Sequence, residues 1–125
     1  MKHPASGLLA LLLAVSALPA LADIVEVEWA ADGSFELQRT VQPGKLLEAC
    51  VKLPAGARVD WAYKAGMPLD FNIHYHVAKD VIYPKQLKRT AAARGTLAVG
   101  LDQDYCWMWT NKNKAAAPLS LTLKR

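Results

Sequence analysis

Residues Leu69-Asp-Phe-Asn-Ile-His-Tyr-His-Val77 alternate apolar and polar side chains without a break. Successive side chains of an extended chain point to opposite faces. The stretch therefore offers Leu69, Phe71, Ile73, Tyr75 and Val77 to a core and turns Asp70, Asn72, His74 and His76 the other way. A helix would scatter those five apolar residues around its circumference. The period is two, and the stretch reads as a β-strand.

The same period recurs on both sides. Upstream, Ile24, Val25, Val27 and Trp29 interleave with Glu26 and Glu28. Phe35, Leu37 and Val41 follow the turn Ala31-Asp-Gly-Ser34, and Leu47, Ala49, Val51 and Leu53 alternate with Glu48, Cys50 and Lys52. Val59, Trp61 and Tyr63 form a further strand, stopped by Gly66-Met67-Pro68. Downstream come Val81-Ile-Tyr83, then Leu97, Val99 and Leu101, then Tyr105 to Thr110, and finally Leu119, Leu121 and Leu123. Lys85 to Arg94 is basic and Ala-rich and reads as a loop with room for one helical turn. The pattern predicts an all-β chain of about nine short strands with turn signals between them, packed as an antiparallel β-sandwich.

The first residues have the form of an export signal. Lys2 supplies a positive start, an apolar run extends from Gly7 to about Leu18, and Ala20-Leu21-Ala22 offers small residues at a cleavage site. The run is shorter than the ~20 apolar residues of a spanning helix. We therefore expect a signal peptide over 1–22 and one domain over 23–125, with no later segment able to cross a membrane and a periplasmic or secreted destination. Cleavage leaves 103 of the 125 residues, enough for one core. It takes the net charge from +4 to +3 by removing Lys2, too mild an excess for a nucleic-acid binder. Cys50 and Cys106 are the only cysteines. In an oxidising compartment two such residues pair, and closing a loop of this length is worth roughly 4 kcal/mol.

From about Leu46 onward the order of motifs resembles a GOLD (Golgi dynamics) domain. The features are Cys50 in an early strand, Leu69-Asp-Phe-Asn-Ile73, Val81-Ile-Tyr83, Gly95-Thr-Leu97, Tyr105-Cys106 running to Asn111, and the closing strand Leu119 to Leu123. The resemblance implies a GOLD- or jelly-roll-like sandwich, a disulfide between Cys50 and Cys106 across it, and a generic role in binding proteins or lipids. The coiled coil and membrane helix that follow the domain in that family have no counterpart before Arg125.

Two clusters carry chemistry. Asn72, His74 and His76 form a row on one strand face at ~7 Å spacing, which lets two imidazoles share a metal ion. Zinc needs further donors, for which Asp70, Asp102, Asp104 and Met108 are candidates, and Met108 would favour copper. The alternative is a row of polar side chains on a solvated face. In Tyr105-Cys-Trp-Met-Trp109, the three aromatics share one face. If Cys106 faces the core, Trp107 and Trp109 form an outward platform for a partner; otherwise they fill the core beside Trp61 and Phe71. Lys85, Lys88, Arg89 and Arg94 could meet an anionic surface, but they lack the apolar face of a membrane anchor. No nucleophile motif accompanies Ser34 or Ser120, and Glu26 and Glu28 lie on an ordinary exposed face.

The expectation is an exported, non-enzymatic interaction module with no catalytic residues. It would bind a protein, a lipid or a small hydrophobic ligand through Asn72, His74, His76, Trp107 and Trp109, as a monomer or weak dimer. The alternative is a periplasmic copper- or zinc-binding protein using His74, His76 and Met108.

Overall fold

The computed structural model describes Lys2, residues 12–14 and residues 22–125. The expected signal peptide thus lies almost wholly outside the described residues. Among the described residues there is no helix, and hence none long and apolar enough to cross a membrane. Seven strands follow in chain order: β1 (Ala22–Glu26), β2 (Ser34–Val41), β3 (Leu46–Leu53), β4 (Arg58–Val77), β5 (Asp80–Ala98), β6 (Gln103–Thr110) and β7 (Ala117–Lys124). They form one sheet in the order β1-β3-β6-β4-β7-β2, with β5 along the other side of β4. All pairings are antiparallel except β1 with β3, which is parallel.

The expected nine strands become seven because two pairs fuse. The segments around Trp61 and Phe71 are one strand, β4, which runs through Gly66-Met67-Pro68. That tripeptide fails as a stop because it sits where β4 changes neighbours. Pairing with β7 ends at Ala65 and pairing with β6 starts at Asp70, so no ladder there needs the missing N–H of Pro68. Gly66 belongs at this corner: a Cβ on it would lie 2.7 Å from the Pro118 ring.

Similarly, Lys85 to Arg94 is part of strand β5, not a loop. Its inward positions are filled by small residues, Ala91, Ala93 and Gly95, because β4 already supplies the volume. A Cβ on Gly95 would meet the Trp61 ring at 2.8 Å. The alternation is present but written in residues too small to register as hydrophobic pattern.

Because β4 joins β7 along its first half and β6 along its second, the sheet curls and the inner faces of its two halves meet. Trp61 and Tyr63 from the first half pack on Phe71 and Trp109 from the second, with ring centroids 4.7–5.6 Å apart. Leu47, Ala49 and Leu53 of β3 and Leu119, Leu121 and Leu123 of β7 complete this core. In β7 every second residue is buried, the pattern that its sequence predicts.

Among the described residues, Asn111 is the polar residue with no exposure. The Asn111 side-chain amide donates to the carbonyls of Val41 and Ala115, both at 2.9 Å, and its oxygen accepts from the Asn113 backbone N–H at 2.9 Å. Its backbone closes the β2–β3 turn, donating to Lys45 and accepting from Gly44.

Candidate functional site on the outer face of β3, β6 and β4

Strand register assembles the site. Glu48 of β3 lies opposite Met108 of β6, which lies opposite Asn72 of β4. One step along, Cys50 lies opposite Cys106, which lies opposite His74. These two rows occupy the outer face of one half of the sheet. The expected disulfide forms between Cys50 and Cys106, directly opposed residues with Cα atoms 4.1 Å apart. It ties neighbouring strands together instead of reaching across the core.

This placement decides the aromatic cluster. With Cys106 half-buried on the outer face, Tyr105, Trp107 and Trp109 point inward, and both tryptophans have 0% exposure. They fill the core beside Trp61 and Phe71, so the outward platform is corrected: neither can touch a partner. The signal was available in β3, where Cys50 occupies the polar phase with Glu48 and Lys52. A bridge from that phase forces Cys106 outward and its tryptophan neighbours in.

The histidine row divides. His74 is 5% exposed and has both ring nitrogens engaged: Nδ1 lies 2.7 Å from Asn72 Oδ1 and Nε2 lies 3.3 Å from Glu48 Oε1. The alternative of a polar row on a solvated face therefore fails at His74, which the cross-strand neighbours and Tyr83, at 6.0 Å between rings, cover. Burial pulls its imidazole below the ordinary value, Glu48 pushes it back up and His76 pulls it further down. A neutral ring satisfies both contacts when Nε2–H points at Glu48 and the Asn72 amide turns its NH₂ toward Nδ1. The imidazolium satisfies them with the Asn72 oxygen in place. His76 is exposed, its ring 5.3 Å from that of His74.

Of the carboxylates considered as extra ligands, Asp70 is occupied by Lys112 at 2.7 Å and the Arg89 N–H at 2.9 Å, and Asp102 by the Ala55 N–H at 2.6 Å. Asp104 is exposed opposite Lys52. Instead Glu48 joins the site, its carboxylate, His74 and Cys106 Sγ having ligand atoms within 4.8 Å of one another.

Beyond His74, β4 has only β5 beside it. Tyr75 pairs with Ile82, His76 with Val81 and Val77 with Asp80, so residues 75–83 extend as a two-stranded ribbon. Its turn, Ala78-Lys79, holds Ala78 at φ 54°, a left-handed conformation costly for any residue with a Cβ. Val77, Val81, Ile82 and Tyr83 are each 36–44% exposed. Of the charged residues, Lys79 and Asp80 lie in or beside the turn and Lys85 opposite Ile73, while Lys88 and Arg89 lie further down β5, beside the Leu69–Phe71 stretch of β4; all are exposed. A separate shallow groove of about 640 Å³ lies on the other half of the sheet, lined in part by Glu36, Asp60, Arg94 and Thr122, and includes none of the predicted site residues.

This is a curled antiparallel β-fold with a polar, disulfide-bearing outer face that runs into an apolar ribbon. As a sequence the chain matches no family model and no curated protein. As a structure it is similar to the Aeromonas hydrophila PliG, a periplasmic lysozyme inhibitor of g-type lysozyme. The TM-score is 0.57 at 16% identity, covering 82% of this chain and 96% of that one. The Salmonella Typhimurium PliG gives 0.55 at 11% identity, covering 82% and 97%. The pre-peptidase C-terminal domain of a Bacillus anthracis collagenase gives 0.54 at 10%, covering 86% and 99%. At these identities the likeness is one of fold.

Proposed function

We propose that this chain is an exported, non-enzymatic protein-binding module, and that it docks its partner with the β4–β5 ribbon, residues 75–83. The observation that carries this reading is the ribbon itself. Four large apolar side chains on a two-stranded hairpin remain 36–44% exposed, and covering that remainder with a partner adds about 1 kcal/mol each. An apolar ribbon with Lys79 and Asp80 at its turn and Lys85 at its base suits a partner whose cleft is apolar inside and polar at its edge.

Fold likeness to periplasmic lysozyme inhibitors supports a g-type lysozyme as the first partner to try, by analogy of architecture. Export to the periplasm, the GOLD-like order of motifs and the domain bounds at 23–125 belong to the same proposal. A calorimetric titration of purified protein into a g-type lysozyme tests it. Saturable one-to-one binding, weakened at least roughly tenfold by Ile82→Asp, is the expected result. No heat of binding at micromolar protein would remove lysozyme as the partner. Binding indifferent to Ile82→Asp and Tyr83→Ala would remove the ribbon as the dock.

A further inference from the structure

We infer that the outer face holds a metal site gated by reduction: opening the Cys50–Cys106 bridge frees two thiols that, with His74 and Glu48, bind zinc(II). His74 Nε2, Glu48 and Cys106 Sγ already lie within 4.8 Å of one another, and Cys50 Sγ is covalently joined to that of Cys106. Three donors, a thiol sulfur, an imidazole and a carboxylate, thus meet at one spot on three neighbouring strands, and the Cys50 thiol released from Cys106 supplies the fourth from the adjoining position. Tetrahedral zinc takes such a set at metal–ligand lengths of about 2.0–2.3 Å, so rotation of side chains suffices to close it.

The supporting shell is also present. When Nε2 of a histidine ligates a metal, its Nδ1–H needs an acceptor to fix the ring, and Asn72 Oδ1 stands 2.7 Å from it. The metal reading of the sequence used His74, His76 and Met108. The structure keeps His74 in the role and replaces His76 and Met108 with thiolates, which are stronger zinc ligands. In the oxidised protein the sulfurs are spent in the bridge and His74 is held by Glu48 and Asn72, so the bridge is the gate.

The fold tolerates the change. Cys50 and Cys106 lie inside an eight-pair ladder from Leu46↔Thr110 to Leu53↔Gln103, which keeps the two thiols opposed once the bond is gone. Both sulfurs belong to half-buried residues of the outer face, within reach of a reductant. A dithiol attacks one sulfur through its thiolate, forms a mixed disulfide, and leaves as its own cyclic disulfide. Two electrons and two protons pass to Cys50 and Cys106. Zinc then displaces the two thiol protons to solvent.

The test is a titration of Zn(II), and of Co(II) as a spectroscopic stand-in, into oxidised protein and into protein reduced with a metal-neutral phosphine. One-to-one binding in the reduced form only, with thiolate-to-cobalt charge-transfer bands, is expected. Reduced His74→Gln should bind at least about tenfold more weakly, the lower end of what even outer-shell partners contribute. The Cys50→Ser/Cys106→Ser variant should not bind under either condition. Equal binding by oxidised and reduced protein, or reduced affinity unchanged in His74→Gln, overturns the inference. Far-UV circular dichroism guards against unfolding: β-structure lost on reduction and not restored by zinc also overturns it.

Discussion

Asn111 shows how much one side chain can hold. Its amide is buried and spans the end of β6, the β2–β3 turn and the loop before β7 through four side-chain hydrogen bonds. Asn111→Ala should cost roughly 2–4 kcal/mol in urea unfolding, because the Val41 and Ala115 carbonyls lose their donors. Asn111→Asp should be at least as damaging, since it sets a carboxylate against those carbonyls. In the sequence this residue reads only as part of a turn, Asn111-Lys112-Asn113-Lys114, because nothing in a single chain announces that a turn amide is buried.

His74 is the other informative residue. Burial holds its imidazole below the ordinary value of 6.5, so the unfolded chain binds the proton more readily than the folded one. Its contribution is therefore absent as a penalty above that value, and stability falls as the pH drops through it toward the depressed folded value. Unfolding of the oxidised protein followed between about pH 7 and 5 should show that fall, and His74→Gln should flatten it. A steeper slope in the variant would mean that Glu48, not burial, governs the ring.

At the level of elements, the long hairpin of β4 and β5 was the least legible part of the sequence. Proline and glycine at 66–68 imitate a strand end, and an edge strand built from Ala, Gly and cations imitates a loop. The causes differ: at 66–68 β4 changes neighbours, so no ladder is broken, while on β5 the large residues of β4 leave no room for the large apolar residues in which strand signals are written. By contrast, β7 and the Leu47–Ala49–Leu53 phase of β3 read correctly, and β4 does so from Leu69 to Ile73, before the alternation breaks at buried His74 and exposed Val77.

Ala78 in the turn of this hairpin carries a strain that glycine lacks. Ala78→Gly should raise stability by up to about 1 kcal/mol in thermal unfolding, the left-handed penalty of ~1–2 kcal/mol less the entropy glycine costs. Lower stability would mean that the ribbon turn is held by more than its backbone.

For the whole molecule, the curled sheet depends on aromatic contacts between its halves. Trp109 touches Tyr63 from the first half and Phe71 beside it, so Trp109→Ala should cost about 3–5 kcal/mol. The indole N–H groups of Trp107 and Trp109 meet no acceptor among the described residues. Shape, not hydrogen bonding, therefore holds these rings in place, and a phenylalanine at either position should be far better tolerated than alanine. The all-β class was readable from the period-two spacing, and the bridge from the presence of just two cysteines in a chain expected to be exported. The side of the sheet that carries the bridge depended on one parity decision at Cys106, and with it went the assignment of Trp107 and Trp109.

The claim that the ribbon is a protein dock meets its most direct test in amide hydrogen exchange, with and without a g-type lysozyme. The account predicts slowed exchange over residues 75–83, spreading to the neighbouring outer face at Asn72 and His74. Protection confined to the groove around Glu36, Asp60 and Thr122, or no change anywhere in the chain, would contradict it.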